Sequence, residues 1–167
     1  MAMVSRVTSY TTATRRLFSV VALAFLLPQM ASATEPDWQF VTTSDDRIVY
    51  VDATTIRMRE NHLTASVLHR FTAQQTPLSG KSFLSSVYLV TFECGSERSG
   101  FVSVANYAGN SGDGAVIDSF ERSSDAVKLK YAEPRTLGHA TLQYVCSRAN
   151  AAGLANVGNL HSRVSLR

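Results

Sequence analysis

Two cysteines, Cys94 and Cys146, are the only ones in this 167-residue chain, and both stand downstream of what reads as an export signal. An exported chain reaches a compartment where thiols oxidise, and two lone cysteines there most often pair. A bridge between them would close a loop of about 50 residues and contribute roughly 4 kcal/mol in the chain-entropy model, less under strain. That is comparable to the net stability of a whole domain. The chain is thereby confined to folds in which positions 94 and 146 meet. The competing readings are a redox-active pair and two free thiols. Redox pairs usually form a close C-x-x-C, whereas these two lie 52 positions apart.

The signal itself occupies residues 1–33. Arg6, Arg15 and Arg16 make a positive leading region without an acidic residue, and an apolar run follows from Leu17 to Leu27. That run is too short to span a bilayer core, which needs roughly 20 apolar residues. Ala31-Ser32-Ala33 is a small-residue cleavage motif, so cutting is expected between Ala33 and Thr34. An uncleaved membrane anchor is the competing reading. Thr14-Arg15-Arg16-Leu17-Phe18 also has the look of a twin-arginine signal, but paired arginines are common in ordinary leaders, which favours the general secretory route. No cysteine lies near the cleavage site, so a lipid-attached form is not expected, and the mature protein should be free of the membrane.

Removing the leader changes the charge argument. The chain has 16 Lys and Arg against 13 Asp and Glu, a formal +3. Three of the arginines belong to the leader, so residues 34–167 carry equal numbers of the two signs. A balanced domain lacks the basic stripe that nucleic-acid binding needs, and none is expected. The length left after cleavage suits one domain with a real core.

Within that domain the apolar residues alternate with period two, the pattern of half-buried strands. Trp38 to Thr42 and Ile48 to Val51 flank the polar turn Ser44-Asp45-Asp46-Arg47 and predict a hairpin. Asp52 to Ile56 turns away, and Arg59 to His62 reads as another turn. Leu63 to Phe71 predicts a strand with Leu63, Ala65, Val67, His69 and Phe71 on one face. A loop from Gln74 to Lys81 leads into the longest strand, Ser82 to Cys94, where Leu84, Tyr88, Val90, Phe92 and Cys94 share a face and Ser86 leaves a gap. Gly100 to Tyr107 and Ala115 to Glu121 predict two more strands around the glycine-rich turn Gly109 to Gly114. Val127 to Tyr131 alternates as a short edge. After Pro134 the period changes: Leu142, Val145, Cys146 and Ala149 fall on one face of a helix, with Gly138 blurring its start. The expected fold is α+β, an antiparallel sheet of about six strands with a C-terminal helix packed on one face and bolted there by the disulfide. Residues 34–149 would form the domain, and residues 150–167 a loose tail.

The motifs that could carry chemistry fail on context. Gly109-Asn110-Ser111-Gly112-Asp113 superficially matches a serine-protease nucleophile turn, but those enzymes need a much larger double barrel and a partner His and Asp. Gly80-Lys81-Ser82 ends like a P-loop, yet Gln75 stands where the first glycine belongs. His62 and His69 are seven apart on a predicted strand and should point to opposite faces. No histidine pair has metal-ligand spacing, and Asp45, Asp46 and Asp52 suit turns and strand ends. No catalytic, cofactor-binding or metal-binding residue is therefore expected.

Several features in order resemble the surface-adhesin protein E family of small exported bacterial proteins. They are Trp38 opening the domain, Val49-Tyr50-Val51-Asp52 closing a hairpin, a long strand ending in Phe92-Glu93-Cys94, and a late Val145-Cys146 in a helix after a proline. The resemblance covers about residues 37–148. It implies a curved antiparallel sheet with a C-terminal helix tied by the disulfide to its concave face, and an adhesive rather than enzymatic role. The family's namesake is a surface lipoprotein, and this chain has no lipid-bearing cysteine. No ligand-contacting residues carry over.

The leading expectation is an exported, non-enzymatic binding protein that holds an extracellular or envelope protein or peptide on a sheet face, edge or loop. A homodimer is compatible with free sheet edges. The periplasm is the expected location, with the cell surface or the medium as alternatives. A second reading is a periplasmic envelope component without a host ligand. A third is a small hydrolase using His62 or His69 with a carboxylate.

Overall fold

The computed structural model describes residues 35–76, 80–123 and 126–154; the leader, the Ala33–Thr34 junction and the chain beyond residue 154 lie outside them. The first hairpin pairs β1 (Trp38–Thr43) with β2 (Arg47–Asp52). Its turn is stitched by Ser44, whose hydroxyl donates to Asp46 Oδ1 at 2.7 Å and whose amide donates to the Arg47 carbonyl at 2.9 Å. At the far end of β2, buried Asp52 accepts from Thr54 N, Thr54 Oγ1 and Asp37 N at 2.9, 2.7 and 3.1 Å. One carboxylate thus caps a single 3₁₀ turn, Ala53–Thr55, and pins the chain that enters β1.

That turn leads into a strand where the sequence pattern predicts only the turn from Arg59 to His62. β3 (Arg57–Arg59) pairs antiparallel with the start of β4 (His62–Gln75). β4 begins at His62 rather than after it, because Glu60 adopts a left-handed φ of 53° and closes the β3–β4 turn over two residues. β4 then pairs with β5 (Phe83–Glu93) over most of its length. β5 pairs with β6 (Arg98–Tyr107), and β6 with β7 (Val116–Glu121) and with the short β8 (Lys130–Tyr131). The sheet is open and antiparallel, in the order β1-β2-β4-β5-β6-β7, with β3 beside β4 and β8 beside β6. Its eight strands comprise the six expected, β3, and β8, which takes only Lys130–Tyr131 of the alternating edge expected at Val127 to Tyr131.

Alternation decides what each face does. Val49, Val51, Leu63, Ala65, Val67 and Phe92 turn to one face and are buried there under Leu142, Val145 and Ala149 of α1 (Leu137–Ala151). Thr136 begins the helix from an extended conformation, its hydroxyl accepting from His139 N at 3.2 Å. Arg148 sits in the last turn, where a cation suits the helix dipole. The helix runs to Ala151, and Leu154 still packs against the core. Cys146 on α1 is joined to Cys94, the residue after β5, with Cα atoms 5.8 Å apart. The bridge fixes the helix to the sheet face it covers.

On the opposite face the Gly109–Gly114 loop folds down onto the sheet. Fully buried Ser85 holds it, donating to the Gly109 carbonyl at 2.6 Å and accepting from Gly112 N at 3.0 Å. Gly112 has φ 74°, and a Cβ there would stand 2.8 Å from Val87 Cγ2. Only glycine fits between that backbone and the sheet.

Candidate functional site

The helix packs over part of this sheet face. The strand registers lay out the face as rows. One row runs Val49–His69–Ser86–Asn106–Asp118 across β2, β4, β5, β6 and β7. Its polar members are chained: Ser86 Oγ donates to Asn106 Oδ1 at 2.6 Å, and Asn106 Nδ2 donates to Asp118 Oδ1 at 2.5 Å. Ser86 is all but fully buried, so that first bond satisfies a hydroxyl that would otherwise be costly to hide.

An aromatic chain crosses the same region. Phe83 meets Phe71 edge-on at 5.6 Å, and Phe71 meets His69 at 6.5 Å. His69 then lies 4.7 Å from Tyr88, which meets Phe101 edge-on at 6.4 Å. Arg122, just past β7, stacks over Phe101 at 4.2 Å and over Phe120 at 5.4 Å. The outer members are exposed: Phe101 is 40 % and Phe120 53 % accessible. Arg122 Nε is shielded from solvent and has no hydrogen-bond partner among the described residues. Two exposed rings and an arginine held by their faces form a patch with the composition of an interaction surface.

Where the chain of rings passes under the start of α1, a depression of about 290 Å³ opens, lined by His69, Tyr88, Val90, Phe101, Leu137 and Thr141 among others. Burial pushes the His69 imidazole down to about 4, helped by the Arg47 charge and opposed by Asp46. Arg47 Nη1 approaches His69 Nδ1 at 3.4 Å. A guanidinium can only donate, so Nδ1 accepts and the neutral ring carries its proton on Nε2. Arg47 also stacks on Phe71 at 4.9 Å and pairs with Asp46 at 2.5 Å. That pairing holds the Asp46 carboxyl well below the usual carboxylate range and raises the Arg47 guanidinium.

Phe40, at 60 % accessible on edge strand β1, is a further exposed ring, set edge-on to Tyr50 at 6.2 Å. It lies at the opposite side of the sheet from Phe120. The matching surface-family model covers residues 38–147 and is described as surface-adhesin protein E. The chain belongs to that family. Two solved structures of Haemophilus influenzae protein E share the fold of this surface-adhesin protein E member. One matches at 12 % identity with a TM-score of 0.52, covering 74 % of this chain and 90 % of its own. The second, from a non-typeable strain, matches at 14 % identity and 0.51, covering 79 % and 95 %. A search of curated protein sequences returns no match.

In this family member the residues weighed for chemistry are dispersed. His69 faces the helix side, while His62 lines the opposite face with Thr64 and Thr91. Ser111 sits on the glycine-rich loop, also on the opposite face, with its amide donating to Asp113 Oδ1 at 3.1 Å. Strand alternation separates the two histidines as their odd spacing predicts. The structure does place a serine beside His69, namely Ser86 on the neighbouring strand. Its hydroxyl proton is directed at Asn106 instead, so the pair does not have the hydrogen bond of an activated nucleophile. Among the described residues no three His, Cys, Asp or Glu side chains converge as metal ligands.

Phe101, Phe120 and Arg122 went unremarked in the sequence. Phe101 and Phe120 are ordinary strand residues by pattern, and Arg122 follows the last of the long strands. They become a cluster only because β6 and β7 pair, with Arg122 N donating to the Val102 carbonyl at 2.8 Å.

Proposed function

We propose that this protein is exported and works as a non-enzymatic binding protein, holding an extracellular or envelope protein or peptide on the open part of its helix-bearing face. The observation that carries this reading is Arg122 stacked between exposed Phe101 and Phe120. Arginine and aromatic side chains dominate binding energy at protein interfaces, because large preordered groups lose little freedom on contact. The depression beneath the helix start supplies a seat for an anchoring side chain. The free edge of β7 supplies backbone groups for strand addition, and a second copy of the chain could use that same edge.

The reading predicts which residues matter. Protein recovered from expressing cells would serve as bait against extracellular-matrix proteins and envelope extract, followed by affinity measurement on whatever is captured. Arg122→Ala and Phe120→Ala should each weaken that affinity roughly tenfold or more. Ser111→Ala, on the other face, should leave it unchanged. Undiminished binding in the first two variants would remove the aromatic patch from the function. Turnover of a substrate that Ser86→Ala abolishes in a folded protein would replace the binding reading with an enzymatic one.

A further inference from the structure

A second depression, of about 310 Å³, lies on the face opposite the helix. Its floor is Thr64 of β4, Leu89 and Thr91 of β5 and Val102 of β6. One wall is the β3–β4 turn, with Arg59, Glu60 and His62; the other is Val127 and Leu129. That second wall is held down hard. A Cβ added at Gly100 would stand 2.9 Å from the Lys128 carbonyl oxygen and 3.0 Å from Val127 Cγ1, so the segment at 127–129 lies directly on β6. Arg98 Nη2 ties it further by donating to the Leu129 carbonyl at 2.8 Å.

The chemistry of this depression is lopsided. Its interior offers Leu89, Val102, Val127 and Leu129, room for one apolar side chain. Its β3 rim is cationic, since Arg57 pairs in register with Thr64 and Arg59 with His62, which turns both exposed guanidinium groups to this face. Arg98 faces the same way, opposite Glu93. Of the carboxylates here, Glu93 accepts from the Ser96 hydroxyl, and Glu60 is the one acidic residue in the lining. The one ion pair among the described residues is Arg47–Asp46, on the other face. Among the described residues neither Arg57 nor Arg59 therefore has a carboxylate within ion-pair distance.

We propose that this depression binds an acidic peptide segment, one apolar side chain entering between Leu89 and Leu129 and flanking carboxylates meeting Arg57 and Arg59. Charge complementarity selects that partner. A guanidinium binds a carboxylate through two parallel hydrogen bonds, and a basic segment would be repelled. A sulfated glycan would satisfy the rim and leave the apolar interior unused. The proposal concerns a different face from the aromatic patch, so either can fail without the other.

The test is amide NMR on isotope-labelled protein recovered from expressing cells, titrated with a short peptide of Glu and Asp carrying one central Leu. The expected result is chemical-shift change at Thr91, Val102 and Leu129, with little at Tyr88 or Phe101. Both the Arg57→Ala/Arg59→Ala double variant and a peptide with Ser in place of Leu should bind about tenfold more weakly. Both arginines are exposed strand residues, and an unchanged spectrum of the free variant verifies its fold. Three results would each overturn the proposal: no change at those amides, equal binding of a Gln-for-Glu peptide, or heparin occupying the same residues more tightly than the peptide.

Discussion

His69 is the residue where position and chemistry are most tightly bound together. Its place in β4 turns it to the helix side, where the rings of Phe71 and Tyr88 pack against it and leave it only partly exposed. The cost falls on the charged form, so its pKa drops from 6.5 to about 4. Because the folded value lies below the unfolded one, the unfolded chain binds more protons between those two values. Stability should be full above about pH 6.5 and fall as pH drops towards about 4, by up to roughly 3 kcal/mol from this group alone. Urea melts of the wild type and His69→Phe across that window would check it, with the pH dependence flattening in the variant. The facing of His69 was legible in the sequence, because alternation fixes it. Its neighbour Ser86 and the Asn106–Asp118 chain were not, since register between strands depends on turn and bulge geometry. One such bulge falls between Leu89 and Val90, and shifts which β6 residues face them.

At the scale of elements, the disulfide and the helix act as one unit. The apolar stripe of α1 is short: Leu142, Val145 and Ala149 bury, with Thr141 beside them. A stripe that small gives limited adhesion of its own, on the order of 1.5–3 kcal/mol for each large side chain hidden. The Cys94–Cys146 bridge closes the chain from the end of β5 to the middle of the helix. Cys94→Ala should therefore lower unfolding free energy by about 2–5 kcal/mol, measured by chemical denaturation, while thiol labelling of the unreduced wild type should detect no free cysteine. If the helix is the element released, amide exchange in the variant should rise first at Val145 and Ala149. The cysteine pair and helix stripe were legible because both are local patterns. β3 was not: three residues give no alternation long enough to read, and only the pairing of Arg57–Arg59 with the start of β4 makes them a strand.

For the whole molecule, the sheet order joins each strand except β8 to a neighbour close in sequence, which is why period-two patterning went so far. What the pattern could not show is how the two faces divide the work. One face carries the helix and the aromatic chain; the other carries the glycine-rich loop and the depression rimmed by arginines. Whether either surface meets a partner depends on where the chain is delivered. Among the described residues no helix is long and apolar enough to cross a membrane. The proposal that the protein is exported rests on reading residues 1–33 as a leader. Cleavage between Ala33 and Thr34 would leave Trp38, the first residue of β1, four positions from the new terminus, with Asp37 N already held by Asp52. N-terminal sequencing of protein recovered from the cell envelope should accordingly begin at Thr34. An intact leader would instead make the domain membrane-tethered. Protease added to intact cells then separates the two locations: digestion places the domain at the surface, as a host-binding adhesin requires, and protection places it in the periplasm, where the partner must be an envelope protein.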